Sequence, residues 1–232
     1  VRNDKGEFVL VNGNQIVMIF LNYLMTRNKE LGLLKGNEYI VKTIVTTETI
    51  KTIAEQNGFK MYDCYTGFKW IASVIRENEG KARYIGGGEE SYGFLPEDFV
   101  RDKDSVSSIS LMAEIAAWAK DKGMTMYQML QDIYMKELGG SPVILIKDYA
   151  SLEATDVVNG TKSKLDMPVT SNVLQYFSAD GSKVSIRPSG TEPKIKFYIE
   201  VRGIKMDNYA DYDAANAAAD AKIEAIKKEL GI

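Results

Sequence analysis

At 232 residues the chain can form one large domain or two ordinary ones, and 45% hydrophobic with 26% charged residues supports a packed core under a soluble surface. A formal net charge of -3 speaks against non-specific nucleic-acid binding, which needs a basic face. No stretch approaches the ~20 consecutive apolar residues of a membrane-spanning helix. Histidine is absent, which excludes Ser-His-Asp and Cys-His catalysis and histidine-ligated zinc within this chain. The single cysteine, Cys64, has no internal disulfide partner, which fits a reducing cytoplasmic setting.

Residues 1–10 alternate weakly and turn at Asp4-Lys5-Gly6, a hairpin that does not read as a signal peptide. From Asn14 the spacing of Ile16, Met18, Ile19, Phe20, Tyr23 and Leu24 predicts a helix that ends in the polar run 26–30. Strand-like runs follow at 39–45, 60–65 and 81–85, alternating with helix-like runs at 48–56 and 69–77. That alternation implies an α/β layered domain with a partly parallel sheet. Ligands in such sheets bind at loops beyond the carboxyl ends of strands, where residues 66–70 and 86–93 fall. Residues 105–138 are helical in pattern with a break near Lys122-Gly123-Met124, and their methionines read as core filling. Leu138-Gly139-Gly140-Ser141-Pro142 marks the expected domain boundary.

Beyond it the pattern is that of a smaller α+β domain. Strands are expected at 143–149, 172–177, 183–187 and 195–201, with an Asp180-Gly181 hairpin turn. An alanine-rich terminal helix is expected at 210–230, with acids early and Lys227 and Lys228 late.

Between the last two strands lies Arg187-Pro188-Ser189-Gly190-Thr191-Glu192-Pro193-Lys194. Gly190 permits φ > 0, and the prolines stiffen the loop. A fork of guanidinium donors from Arg187, hydroxyls from Ser189 and Thr191, and inward backbone N–H groups would make a phosphate cradle. The Walker spacing is absent. On residue types alone a polar hairpin turn fits equally well. In the run 86–93, Glu89, Glu90 and Ser91 follow three glycines, a composition suited to accepting hydrogen bonds from adjacent sugar hydroxyls. Neighbouring carboxylates on an extended backbone point apart, so a shared proton or metal ion is not expected. A solvated acidic turn is the alternative. Lys69, between Phe68 and Trp70, is either a cation for a phosphate or bridging oxygen or an ordinary surface lysine.

These motifs carry a resemblance. The run RPSGTEPKIKFYIE resembles the phosphate-binding loop in the last domain of the α-D-phosphohexomutases, the phosphoglucomutase/phosphomannomutase family. GGGEESYG (86–93) resembles that family's sugar-recognition loop, and TGFKW (66–70) resembles the lysine-bearing loop before it. All three stand in the family's order. The resemblance implies a three-layer α/β/α domain with a mixed sheet, then a smaller α+β domain with an antiparallel sheet and helices. It places the end of a preceding domain at 1–12, a sugar-recognition domain at 13–140 and a phosphate-binding domain at 141–232.

By the same resemblance, Glu89 and Ser91, with Glu90 and Lys69, would bind the sugar; Arg187, Ser189, Gly190 and Thr191 would bind the phosphate that does not react. The implied enzyme is an intramolecular phosphotransferase interconverting hexose 1-phosphate and 6-phosphate. Its phosphoserine loop and its Asp-x-Asp-x-Asp-Arg loop for Mg²⁺ are missing here, so no catalytic residue or metal ligand is assigned to this chain. Alone it is expected to be inactive. Glucose 1,6-bisphosphate is the implied activator, and the implied partners are a hexose phosphate and the N-terminal domains, with neither nucleic acid nor membrane. Glu-Ser-Tyr-Gly in place of the Gln-Ser-Gly-His of phosphoglucosamine mutases favours glucose or mannose phosphates. A phosphoglucosamine mutase branch and a noncatalytic sugar-phosphate-binding module are the alternatives.

Overall fold

A computed structural model of the chain describes residues 1–136 and 144–232. The chain divides into two units, Val1–Leu138 and Gly139–Ile232. The boundary motif at 138–142 lies outside the described residues.

The first unit is built on a strand with no exposed side. All six residues of β1 (Glu38–Thr43) are buried, as expected of a parallel strand covered on both faces. Parallel neighbours flank it, β2 (Lys60–Cys64) and β3 (Arg83–Gly88), and the short β4 (Phe94–Leu95) pairs antiparallel to β3. The sheet order is β2-β1-β3-β4. Alternate side chains sort onto opposite faces. Tyr39, Val41 and Tyr84 pack with Phe68, Ile71 and Ile75 of α3 (Phe68–Asn78), while Ile40, Ile85 and Phe94 join the other helices. Those are α1 (Gly13–Glu30), α2 (Thr49–Asn57), α4 (Ser105–Asp121) and α5 (Met126–Lys136). The layers are therefore helix, mixed sheet, helix.

In α1, five consecutive residues, Val17–Leu21, are buried because β3 packs on one side and α2, α4 and α5 on others. An Asn12/Gln15 capping box starts the helix. The strand expected at 81–85 continues through Gly88, so the three glycines are sheet rather than turn. Their reason is close packing: a Cβ would stand 2.7 Å from the Val41 carbonyl oxygen at Gly87 and 2.8 Å from Val17 at Gly88.

The second unit holds an all-antiparallel sheet of order β10-β9-β8-β5-β6-β7 and a terminal helix. Its strands are β5 (Leu145–Asp148), β6 (Glu153–Asp156), β7 (Lys162–Lys164), β8 (Leu174–Phe177), β9 (Lys183–Pro188) and β10 (Ile195–Glu200). β6 and β7 are short and polar, with no apolar alternation to announce them. A buried polar ladder stiffens the sheet: Tyr149 Oη donates to Gln175 Oε1 (2.7 Å), and Gln175 Nε2 to Ser185 Oγ (2.8 Å). Helix α6 (Tyr212–Leu230) follows a 3₁₀ turn and closes on Gly231 at φ 71. Among the described residues no helix is long and apolar enough to cross a membrane.

Candidate functional site

Connections leave the carboxyl ends of β1, β2 and β3 on the same edge of the first sheet. Glu89, only 7% exposed, ties two of them: its Oε1 accepts from the Gly67 N–H at 2.5 Å. Gly67 is the N-cap of α3 and has no side chain of its own to cap it. The carboxylate therefore satisfies an amide that the helix leaves open. Loops that the sequence presents as separate motifs are thus joined.

Glu90 turns the other way. Its Oε2 lies 3.3 Å from each of the Thr43 and Thr46 hydroxyls, which are 2.7 Å from one another. This β1–α2 turn carries no motif and was missed in the sequence. Its threonines are fully buried, and so is Lys42 beneath them. The Lys42 ammonium reaches Asp63 Oδ1 (2.7 Å) and Glu48 Oε1 (3.1 Å). Burial opposes its charge, but the two carboxylates outweigh that and hold its pKa above the ordinary lysine range. A lysine inside a strand pattern gives no sign of such a role. At the end of β2, burial first, then the Asp63 and Glu89 carboxylates, push the Cys64 thiol up, so it stays protonated and is no nucleophile.

The tip of the 86–93 loop faces solvent. Ser91 is exposed, and Tyr92 is 53% exposed with φ 70, a left-handed backbone that is uncommon for any residue but glycine. The Glu89 N–H donates to the Gly93 carbonyl (2.8 Å) and closes the loop. Gly13 at the start of α1 abuts the loop so closely that a Cβ there would stand 1.9 Å from the Glu90 carbonyl oxygen. Lys69 is exposed on the first turn of α3, its ammonium 5.3 Å above the Trp70 ring, and Trp70 packs edge-on against Tyr65. Lys103, not singled out by sequence, lays its ammonium over the Phe68 ring (5.0 Å), and its Cδ would be 3.0 Å from a Cβ on Gly93. It is a second cation beside this loop. A cavity walled by Asn22, Thr26, Ile53, Trp118 and Met129 lies along the far half of α1, not at these loops.

In the second unit, the loop after β9 is a hairpin closed by Ser189 N–H to the Lys194 carbonyl (2.8 Å). Gly190 does not occupy the left-handed region anticipated for it, and a Cβ there would meet nothing within 4 Å. The turn geometry does not require glycine there, and the space over the backbone is open. Ser189 Oγ is buried from solvent without a hydrogen-bond partner. Thr191 is exposed, and Lys194 pairs with Glu192 (2.7 Å). Arg187 donates from Nε to Tyr198 Oη at 3.3 Å.

The register adds a residue that sequence reading passed over. Lys196 stands directly opposite Arg187 on the same sheet face, both half-buried, and neither has a carboxylate partner among the described residues. Like charges in that position repel. On the same ladder Lys183 stands opposite Glu200, and those two form an ion pair of 3.1 Å. One cross-strand pair is neutralised within the protein; the other leaves two positive charges and an unpartnered hydroxyl beside the loop. That arrangement suits an anion. Among the described residues no three Cys, Asp or Glu side chains are grouped to hold a metal ion.

Solved structures share this architecture at low identity. The exocytosis-sensitive phosphoprotein pp63/parafusin, a phosphoglucomutase from Paramecium, superposes with a TM-score of 0.57 at 15% identity over 96% of this chain and 42% of that one. A phosphoglucomutase/phosphomannomutase family protein from Burkholderia thailandensis gives 0.55 at 16% identity over 98% and 43%. The fold is that of the phosphohexomutases. The family model for phosphoglucomutase/phosphomannomutase alpha/beta/alpha domain III matches residues 12–136, and the model for the C-terminal domain matches residues 146–205. The chain belongs to the phosphoglucomutase/phosphomannomutase family. Among curated relatives, phosphoglucomutase of Staphylococcus aureus strain MRSA252 is 32% identical over 90% of this chain, and that of Staphylococcus epidermidis is 31% identical over 86%. The chain spans 43% of the first of these proteins and 42% of the second.

Proposed function

We propose that this chain is the substrate-recognising part of a phosphohexomutase, acting on glucose or mannose phosphates. The loop 86–93 reads the sugar through Ser91, with Glu89, Glu90 and Lys69 around it. The loop after β9 holds the phosphate that is not reacting, through Arg187, Ser189, Gly190 and Thr191, with Lys196 added. The observation that carries this reading is the unneutralised Arg187–Lys196 pair beside the unpartnered Ser189 hydroxyl. A remote phosphate clamp supplies orientation, and it serves either end of a substrate whose C1 and C6 oxygens exchange roles.

On this reading the phosphoserine and Mg²⁺ belong to N-terminal domains of the longer family members, as does the domain that residues 1–12 conclude. Residues 13–140 and 141–232 are then the sugar and phosphate domains, glucose 1,6-bisphosphate is the activator, and the setting is cytoplasmic. No step of the transfer runs through the residues described here. The test is a calorimetric titration of the chain with glucose 1-phosphate beside Arg187→Ala. Saturable binding weakened about tenfold or more in the variant supports the reading, since a charge-assisted contact contributes roughly 1.5–3 kcal/mol. Equal binding by both chains rejects it. Mutase turnover by the chain alone would reject the assignment of catalysis to other domains.

A further inference from the structure

Lys42 is a costly residue to place where it lies. It is fully buried in the middle of a sheet, where an apolar side chain of similar volume would serve stability as well. Its partners say what the charge is for. Besides Asp63, the ammonium contacts the Thr43 carbonyl (3.5 Å), the Thr46 carbonyl (3.4 Å) and the Glu48 carboxylate (3.1 Å), all from one turn. The turn is further closed by Thr46 N–H to the Thr43 carbonyl (3.0 Å). Its two hydroxyls carry two protons between them. One is spent on the 2.7 Å contact between Thr43 and Thr46, which leaves the other to donate to Glu90. Asn14 Oδ1 accepts from Thr47 N–H (2.9 Å), so the start of α1 steadies the same turn.

We propose that Lys42 and Thr46 are positioning residues for the tip of the 86–93 loop. The ammonium fixes the Thr43–Thr46 turn from below, the turn's hydroxyls fix Glu90, and Glu90 fixes Ser91 and Tyr92. Neither residue touches the ligand. The inference rests on the reading of this loop as the sugar-recognition element. Glu89 and Glu90 then divide the support, one binding the start of α3 and the other the β1–α2 turn.

The test compares the parent chain with Thr46→Val, Thr46→Ser and Lys42→Met. One readout is amide hydrogen exchange at Glu89, whose N–H closes the loop on Gly93, with the buried Ile71 of α3 as internal standard. The other is affinity for glucose 1-phosphate and, separately, for inorganic phosphate. Thr46→Val is expected to speed exchange at Glu89 about tenfold and to weaken glucose 1-phosphate binding about tenfold, leaving Ile71 exchange and inorganic phosphate affinity unchanged. Thr46→Ser restores both, because it keeps the hydroxyl, and Lys42→Met matches Thr46→Val. Should Lys42→Met fail to fold, the double variant with Asp63→Leu removes the charge together with its nearest, partly exposed ion-pair partner and takes its place. Unchanged Glu89 exchange in Thr46→Val or in the Lys42 variant overturns the proposal. So does parallel acceleration at Ile71, which marks a general structural role. A parent chain that binds no glucose 1-phosphate defeats the sugar reading instead, and the exchange data still decide the positioning.

Discussion

The loop at residues 86–93 is gripped from several sides, whereas the loop at residues 188–194 is fastened at its base and bare along its crest. In the first, Glu89 is bonded to Gly67, Glu90 lies at the Thr43–Thr46 turn, and Gly13 leaves no room even for a methyl group. In the second, the closing bond is Ser189 to Lys194, and Gly190 has open space around it. On the proposed function, the difference matches two kinds of recognition. Sugar hydroxyls are told apart by the direction of hydrogen bonds, so the groups that meet them must be held still. A phosphate is bound largely by charge, and two cations on a rigid strand pair supply that without a stiff loop.

The comparison is broken most directly at Gly13. A Cβ 1.9 Å from the Glu90 carbonyl oxygen also stands 2.8 Å from the Tyr92 nitrogen, and because both are backbone atoms no rotamer change relieves it. Gly13→Ala should cost about 3 kcal/mol, the upper part of the range for overpacking, read as a lower urea midpoint for the first unit. A cost below about 0.5 kcal/mol would show that the grip is loose. Arg187→Ala should do the reverse. Phosphate affinity should fall about tenfold while the second unit keeps its stability or gains slightly, since Lys196 loses a repelling neighbour. Loss of stability there would mean that Arg187 is a structural residue of the hairpin.

The same contrast explains what the sequence disclosed. Residue types drew attention to both loops but left a polar hairpin and a solvated acidic turn equally open, and the family resemblance supplied their expected roles. Alanine content was enough for α6, and pattern for α1 to α5 and for the strands with apolar or β-branched runs. It failed for β6 and β7, whose polar residues carry no period, and at residues 86–88, where glycines read as turn lie in the sheet because the strands leave no room for side chains. Roles set by pairing were invisible. Lys196 becomes part of the phosphate question only when the register puts it opposite Arg187, and Lys42 only when the fold buries it over a turn. Glu89 and Glu90 were legible as a pair but not as supports, because each partner lies more than twenty residues away in the chain.

Alkaline pH offers a way to loosen one unit through a single hydrogen bond. Tyr23, buried in α1, donates to Glu114 Oε1 at 2.5 Å, and burial first, then that carboxylate, push its pKa up to about 12. A raised pKa means that the fold favours the protonated phenol. Its contribution is complete below the unfolded value near 10 and is lost as pH climbs toward 12. Tyr23→Phe should therefore flatten the alkaline loss of stability in the first unit, by on the order of 1 kcal/mol at pH 11. Tyr39, raised to about 12 mainly by burial, keeps part of the slope. An unchanged slope in Tyr23→Phe would mean that burial and Glu114 do not together hold the phenol protonated in the folded unit.

The smallest effects separate the two loops most finely. Tyr92 is held at φ 70, and asparagine adopts that backbone more readily than tyrosine, so Tyr92→Asn should gain about 0.5 kcal/mol of stability. Gly190 is under no such strain. Alanine fits its backbone and restricts the unfolded chain, so Gly190→Ala should gain a similar amount, about 0.5 kcal/mol. The two gains look alike in an unfolding experiment and diverge in binding. If the loop has its proposed sugar-recognition role, removing the Tyr92 ring should weaken glucose 1-phosphate binding and leave inorganic phosphate alone, because only the sugar would reach it. On the proposed phosphate-binding role of the loop at residues 188–194, a methyl group on residue 190 should weaken both ligands equally, because it would occupy open space beside the backbone where a phosphate would approach. If Gly190→Ala binds phosphate as the parent does, the open crest is not where the anion sits, and the Arg187–Lys196 face of the strands must hold it without the loop.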